Sequence, residues 1–205
     1  HLYIPCRPAG CTFSDWYLGG LDPAAARGLM IAVLTACQAV HLVRTCPDLS
    51  SPRVGIVGDG YGATMALAAG ALLPDRVGFV VAHQPRPAYH RLRDGTLTSC
   101  PAVRRLLQDL PRTRSESIFA ALAYFDAVHF AARVSSPALV IAGERDADAP
   151  AAEAHLLYAQ LAGARQWRLE LNMRHRPSDS RGDFPALLAH LAGDAPLASL
   201  AVTSP

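Results

Sequence analysis

The sequence predicts an α/β protein with a mostly parallel sheet and helices on both faces. Short apolar runs of strand length alternate with helical segments along the chain, and a glycine-dense turn joins the first run to the helix after it. Continuous apolar runs are typical of parallel strands that are covered on both sides. With 205 residues, the chain is expected to form one domain, residues 1–205.

The elements of the first part follow from local signals. Residues 1–21 contain prolines and glycines among cysteines and aromatics and are predicted to be an irregular loop. Asp22 followed by proline is a helix start, and helical periodicity continues over 25–44. An apolar strand at 54–58 and a helix over 63–73 come next. Because the chain opens on histidine without a charged-then-apolar segment, we expect that a segment has been removed upstream.

The same strand and helix pattern continues to the end of the sequence. Residues 84–136 are too long for one simple crossover and contain helical stretches, so they are predicted to be a helical insertion. The remaining predicted elements are strands at 77–82, 138–142 and 167–171, and helices at 151–161 and 184–191.

Composition narrows the classes of partner. The formal net charge is +2 and the arginines are scattered, which argues against nucleic acid. No uninterrupted apolar run approaches the roughly 20 residues of a membrane span, so no membrane partner is expected. The five cysteines have no paired spacing, which indicates neither a disulfide framework nor a metal site. We predict no cofactor and expect small-molecule or protein partners.

The glycine-dense turn Gly58-Asp59-Gly60-Tyr61-Gly62 is spaced like a nucleophile elbow, in which a strained residue between small neighbours presents a reactive side chain. That position is Gly60, which has no side chain. Asp59 is one step out of register and is expected to point away from the elbow. The sequence therefore predicts an elbow without its nucleophile.

An acid and a histidine follow at the ends of later predicted strands. Asp146 comes after the third strand and His175 after the fourth, which is the order nucleophile, acid, histidine. Asp148 is the alternative acid. His83 is expected to be a hydrogen-bonded interior histidine rather than a pocket residue, and Asp126 to make a structural hydrogen bond.

At these residues the sequence resembles a known family. The segment LAYFDAVHFAARVSSPALVIAGERDADAP, residues 122–150, is similar to acetyl xylan esterases and cephalosporin C deacetylases of carbohydrate esterase family 7, within the α/β-hydrolases. The resemblance extends back through 53–77, where the family has a GGSQGG elbow, forward to His175, and covers nearly all of 23–192. It implies a partial α/β-hydrolase fold, because the family's first strands, with the second oxyanion donor, have no counterpart here.

The resemblance also implies roles for individual residues. Asp146 and His175 take the acid and base positions, and the backbone N–H of Tyr61 that of an oxyanion donor. The chain departs from the family at the nucleophile and at three further positions: Gly60, Tyr61, His129 and Arg176.

The expected function follows from this family and its missing serine. We expect a domain that has lost catalytic activity because of Gly60 and is retained for binding or assembly. The alternative is an active carboxylic-ester hydrolase that removes acetyl groups from small sugars or related esters, and a third interpretation is a decayed fragment. The resemblance implies a small acetylated ester or saccharide as ligand, a homo-oligomer and a cytoplasmic location.

Overall fold

The computed structural model describes residues 25–48, 54–86, 111, 113, 116–117, 120 and 123–175. The predicted loop at 1–21, the helix at 184–191 and most of the insertion at 84–136 lie outside the described residues. The described elements are α1 (Ala25–Thr45), β1 (Val54–Asp59), α2 (Tyr61–Leu72), β2 (Val77–His83), α3 (Ala127–Ala131), β3 (Ala138–Gly143), α4 (Ala151–Gln160) and β4 (Arg165–Glu170).

The four strands form one parallel sheet in the order β1-β2-β3-β4. The register pairs Asp59 with His83, and Gly143 with Glu170, so the carboxyl ends of neighbouring strands lie at one edge. Ligands of open α/β sheets bind outside this edge. The predicted α/β fold with a parallel sheet is confirmed, and the candidate site residues follow β1, β3 and β4.

The main core lies between the sheet and the described helices. Val80 and Val140 point from the sheet toward α2 and α4, where Leu67 and Leu157 are fully buried. The opposite face is also apolar, and Phe79 is 7 % exposed there. Burial of these apolar side chains is the main stabilising contribution to the fold.

Two boundaries differ from the sequence prediction by two residues, and the other differences are of one residue. α2 begins at Tyr61 rather than 63, because the chain turns directly from Gly60 into the helix. β4 begins at Arg165 rather than 167. It lies at the end of the described strand order, so its polar residues are tolerated where one strand edge and part of a face are open to solvent.

α1 buries Leu29, Val33 and Val40 and contacts α2 and β1, whereas large apolar side chains such as Ile31 and Leu42 are exposed on its other side. By length and composition alone, Gly28–Thr45 is also apolar enough to cross a membrane, a test that core helices of soluble proteins pass too. The absence of a membrane partner therefore remains a prediction.

Candidate functional site

The turn between β1 and α2 has the geometry of a nucleophile elbow. Gly60 lies at φ +56° and ψ −114°, a backbone conformation that L-residues rarely adopt. Gly58 allows the helix to approach the strand, since a Cβ there would lie 2.1 Å from the carbonyl oxygen of Gly62. The small residues that the sequence places here are thus required by the turn itself.

Position 60 faces the imidazole of His175. A Cβ built on Gly60 would lie 3.9 Å from both Cε1 and Nε2 of that ring, and among the described residues these are the nearest atoms outside the adjoining residues of the chain. A serine here would therefore place its hydroxyl within reach of Nε2. Within the described residues, the elbow has the required backbone and faces the histidine, and position 60 carries no nucleophilic side chain.

Asp146 and His175 form a hydrogen-bonded pair. Nδ1 of His175 lies 2.7 Å from Oδ2 of Asp146, whose side chain is fully buried, whereas His175 is 24 % exposed. The other carboxylate oxygen, Oδ1, accepts hydrogen bonds from the backbone N–H groups of Asp148 (2.9 Å) and Ala149 (2.8 Å). A carboxylate held in this way fixes the tautomer with the proton on Nδ1, so that Nε2 is the acceptor facing Gly60.

The structure separates the two candidate acids. Asp148 pairs with the guanidinium of Arg86, with 2.7 Å between Nη2 and Oδ2. Asp146 is the carboxylate next to His175. Asp146 is thus the one of the two that contacts His175, and its role as the catalytic acid stays a prediction.

A second histidine and carboxylate pair lies beside the elbow. Nδ1 of His83 is 2.7 Å from Oδ1 of Asp59, and Nε2 is 3.8 Å from Oε2 of Glu170. His83 is 1 % exposed, so it is an interior, hydrogen-bonded histidine, as the sequence predicts. The Asp59 carboxylate is engaged with His83, which argues against Asp59 as a nucleophile.

The remaining residues named from the sequence are Tyr61, His129, Asp126 and Arg176. Tyr61 is the first residue of α2, so its backbone N–H follows Gly60 directly, and its side chain lies against a small apolar cluster. His129 is exposed on α3, whereas Asp126 caps that helix by accepting a hydrogen bond from the N–H of Val128. Arg176 lies outside the described residues. The oxyanion role of Tyr61 remains a prediction.

Sequence reasoning missed Gln84 and Arg86. Both follow β2 and contact the loops that carry Asp148 and His175. Their position at the end of a predicted parallel strand was a usable signal, since ligands bind at that edge.

Within the part of the chain that the structure describes, no group of three or more His, Cys, Asp or Glu side chains is arranged to hold a metal ion. The prediction of no metal and no cofactor is not tested by this observation. The chemistry that the described residues can supply is general acid–base chemistry by the Asp146–His175 pair.

An elbow after one parallel strand, with an acid and a histidine after later strands, defines the α/β-hydrolase class. Residues 5–181 match the family model of acetyl xylan esterase (AXE1). The chain therefore belongs to the acetyl xylan esterase family, which confirms the resemblance found in the sequence.

Solved structures agree with this assignment of the fold. Acetyl xylan esterase 1 from a Thermoanaerobacterium species is 22 % identical, with a TM-score of 0.68 over 90 % of this chain and 59 % of that one. The acetyl xylan esterase from a Paenibacillus species is 21 % identical, with a TM-score of 0.65 over 90 % and 58 %. Dienelactone hydrolase from Anabaena variabilis is 20 % identical, with a TM-score of 0.53 over 78 % and 57 %.

At these identities the likeness establishes the fold alone. The chain spans 59 % and 58 % of the length of the two acetyl xylan esterases. A comparison with curated proteins gave no match.

Proposed function

We propose that this chain is a member of the acetyl xylan esterase family that does not hydrolyse esters through an acyl-enzyme and is retained for binding or for assembly. The observation that carries the proposal is Gly60: the elbow has the required backbone and faces His175. Glycine has no atom that can attack a carbonyl. The first half-reaction of serine ester hydrolysis therefore lacks its nucleophile.

The loss of turnover expected without the serine supports an inactive esterase over an active one. In subtilisin, removing the serine of the triad lowers turnover by about 10⁶-fold, and the residual catalysis comes from the oxyanion hole and substrate binding. A loss on this scale leaves too little turnover for a useful esterase. The fold and the acid–histidine pair remain available for another role.

The ligand class that we propose is a small acetylated ester or saccharide. His175 is partly exposed with its Nε2 directed toward Gly60, so a sugar hydroxyl can donate a hydrogen bond to that nitrogen. The buried Asp146 carboxylate keeps the ring in place without a ligand. We further propose a homo-oligomer in the cytoplasm, with no nucleic-acid or membrane partner.

A second candidate is an active carboxylic-ester hydrolase that removes acetyl groups from small sugars. It is favoured by the pair itself, because the 2.7 Å contact between His175 and Asp146 is the arrangement that a general base requires. This candidate needs a nucleophile other than the side chain at position 60.

The deciding experiment compares hydrolysis of p-nitrophenyl acetate by four proteins: the natural chain, Gly60→Ser, His175→Ala and the double variant, each checked for folding by circular dichroism. We expect the natural chain to be no faster than His175→Ala, and Gly60→Ser to exceed its own His175→Ala control. Turnover by the natural chain well above His175→Ala would overturn the proposal and favour the active hydrolase. If folded Gly60→Ser is also inert, the loss of esterase function extends beyond the nucleophile.

Binding and assembly are tested separately. Titration calorimetry with a small acetylated saccharide is expected to show binding that weakens in His175→Ala, because that ring supplies the acceptor facing Gly60. Sedimentation velocity is expected to show a species larger than the 21.8 kDa chain. A monomer that binds no acetylated saccharide would contradict both proposed roles and favour a decayed fragment.

A further inference from the structure

Residues 83–86, the last residue of β2 and the three that follow it, are here called the β2 loop, and their backbone holds the elbow. The N–H of Gly60 donates to the carbonyl oxygen of His83 (2.8 Å), and the N–H of Arg86 donates to the carbonyl oxygen of Gly60 (3.2 Å). Both polar backbone groups of Gly60 are therefore bonded to this loop. These two hydrogen bonds to the β2 loop hold Gly60 in its positive-φ conformation, which glycine adopts without a steric penalty.

The β2 loop also reaches the acid. The Arg86 side chain is 13 % exposed, and its Nη2 lies 2.7 Å from Oδ2 of Asp148, whose side chain is 41 % exposed. Asp148 in turn donates its backbone N–H to Oδ1 of Asp146. This charge-assisted contact joins the β2 loop to the turn that follows Asp146. Arg86 thus restrains the turn whose N–H groups orient the Asp146 carboxylate.

The third contact of the β2 loop is with the histidine. The Gln84 side chain is fully buried, and its Nε2 donates to the carbonyl oxygen of Arg174 (3.0 Å), one residue before His175. Gly143 leaves the space for this amide, because a Cβ there would lie 3.0 Å from Gln84 Nε2. Gln84 therefore lies between the end of β3 and the segment that carries His175.

The backbone of Gln84 is strained, at φ +46°, although its N–H makes a hydrogen bond of 2.7 Å to the carbonyl oxygen of Ile141. Glutamine is not among the residues that favour positive φ. Strain of this kind persists only when the surroundings enforce it, and it is concentrated at functional sites. Here the strained residue is the one whose side chain supports the histidine segment.

We infer that Gln84 and Arg86 are positioning residues that hold the acid–histidine pair opposite Gly60. Gln84 acts on His175 through the Arg174 carbonyl, and Arg86 acts on Asp146 through Asp148. This inference goes beyond the proposed function, because it concerns how the pair is held whether or not an ester is hydrolysed.

The test follows the Nδ1–H proton of His175, which bonds to Asp146, by NMR of the whole chain labelled with ¹⁵N in its histidine rings. The signal is assigned by its loss in His175→Ala. Gln84→Asn keeps an amide and tolerates positive φ, but it is one methylene too short to reach Arg174. We expect solvent exchange of the Nδ1–H proton to accelerate about three- to tenfold, the change expected from losing one hydrogen bond.

Two controls separate positioning from general stability. Gln38→Asn makes the same chemical change on the exposed side of α1 and is expected to leave the exchange rate unchanged. Asp126→Ala removes the cap of α3. It is compared with Gln84→Asn at temperatures that lie equally far below the melting temperature of each variant. Gln84→Met, which keeps the length and removes the donor, serves as a second test of the same hydrogen bond.

An unchanged exchange rate in either folded Gln84 variant would overturn the inference. The same acceleration in Asp126→Ala at matched stability would also overturn it, because the signal would then report stability alone. Neither result depends on ester hydrolysis, so failure here is distinct from failure of the proposed function.

Discussion

Gly60→Ala is expected to destabilise the protein through the backbone alone. In the part of the chain that the structure describes, a Cβ at this position meets nothing nearer than the His175 ring at 3.9 Å, so no clash with those residues contributes. Holding a non-glycine residue at positive φ costs about 1–3 kcal/mol. For a protein of this size, 1 kcal/mol lowers Tm by about 2–4 °C, so the substitution should lower Tm by about 2–12 °C.

Gly60→Ser has the same backbone cost and one compensating contact. Its hydroxyl can donate to Nε2 of His175, and such a hydrogen bond contributes about 0.5–1.5 kcal/mol. The serine variant should therefore be more stable than the alanine variant by that amount. Combining each variant with His175→Ala should abolish the difference, which makes a double-mutant cycle.

The free energy of unfolding is measured by urea titration, with circular dichroism as the signal. The six proteins, all in one buffer, are the chains with Gly, Ala or Ser at position 60, each with and without His175→Ala. If Gly60→Ala matches or exceeds the stability of the natural chain, the turn does not hold position 60 at positive φ. If serine and alanine differ equally with and without the His175 ring, that ring does not face the elbow. Either result refutes the reasoning about the site.

Three further predictions test other parts of the structure. Asp126→Ala removes the side-chain cap of α3 and should cost about 1 kcal/mol in urea unfolding; an unchanged midpoint would contradict the capping contact. Leu157→Ala, at a fully buried position, should cost about 2–5 kcal/mol, whereas Leu156→Ala, 44 % exposed, should change stability by less than about 0.5 kcal/mol. Burial raises the pKa of the Cys37 thiol, and only the thiolate reacts. At a given pH, iodoacetamide should therefore modify Cys37 more slowly in the folded protein than in the urea-unfolded chain, as measured by peptide mass spectrometry; equal rates would contradict the burial of the thiol.

The fold was predictable because the signals for it are local. An apolar run such as 138–142 fits few structures other than a buried strand once helical segments flank it. Parallel strands place their carboxyl ends at one edge of the sheet. That rule alone brings Asp146 and His175 to one edge. The lack of a side chain at Gly60 is visible in the sequence without any structure.

The contacts of the β2 loop were not predictable in the same way. Gln84 meets Arg174, which is 90 residues away in sequence, and no periodicity relates them. Likewise, pairing of Arg86 with Asp148 rather than Asp146 depends on side-chain directions after two different strands. The start of β4 at Arg165 was missed because an edge strand tolerates polar residues, which removes the apolar run used to recognise strands.

The positive φ of Gly60 affects which residue is retained at this position during evolution. Serine codons of the AGC type and glycine codons of the GGC type differ by a single base, so the two residues are neighbours in mutation. At this turn glycine is the occupant with the lower backbone cost. Selection for a folded chain alone would then keep glycine, and a return to serine would persist only where ester hydrolysis itself improved fitness.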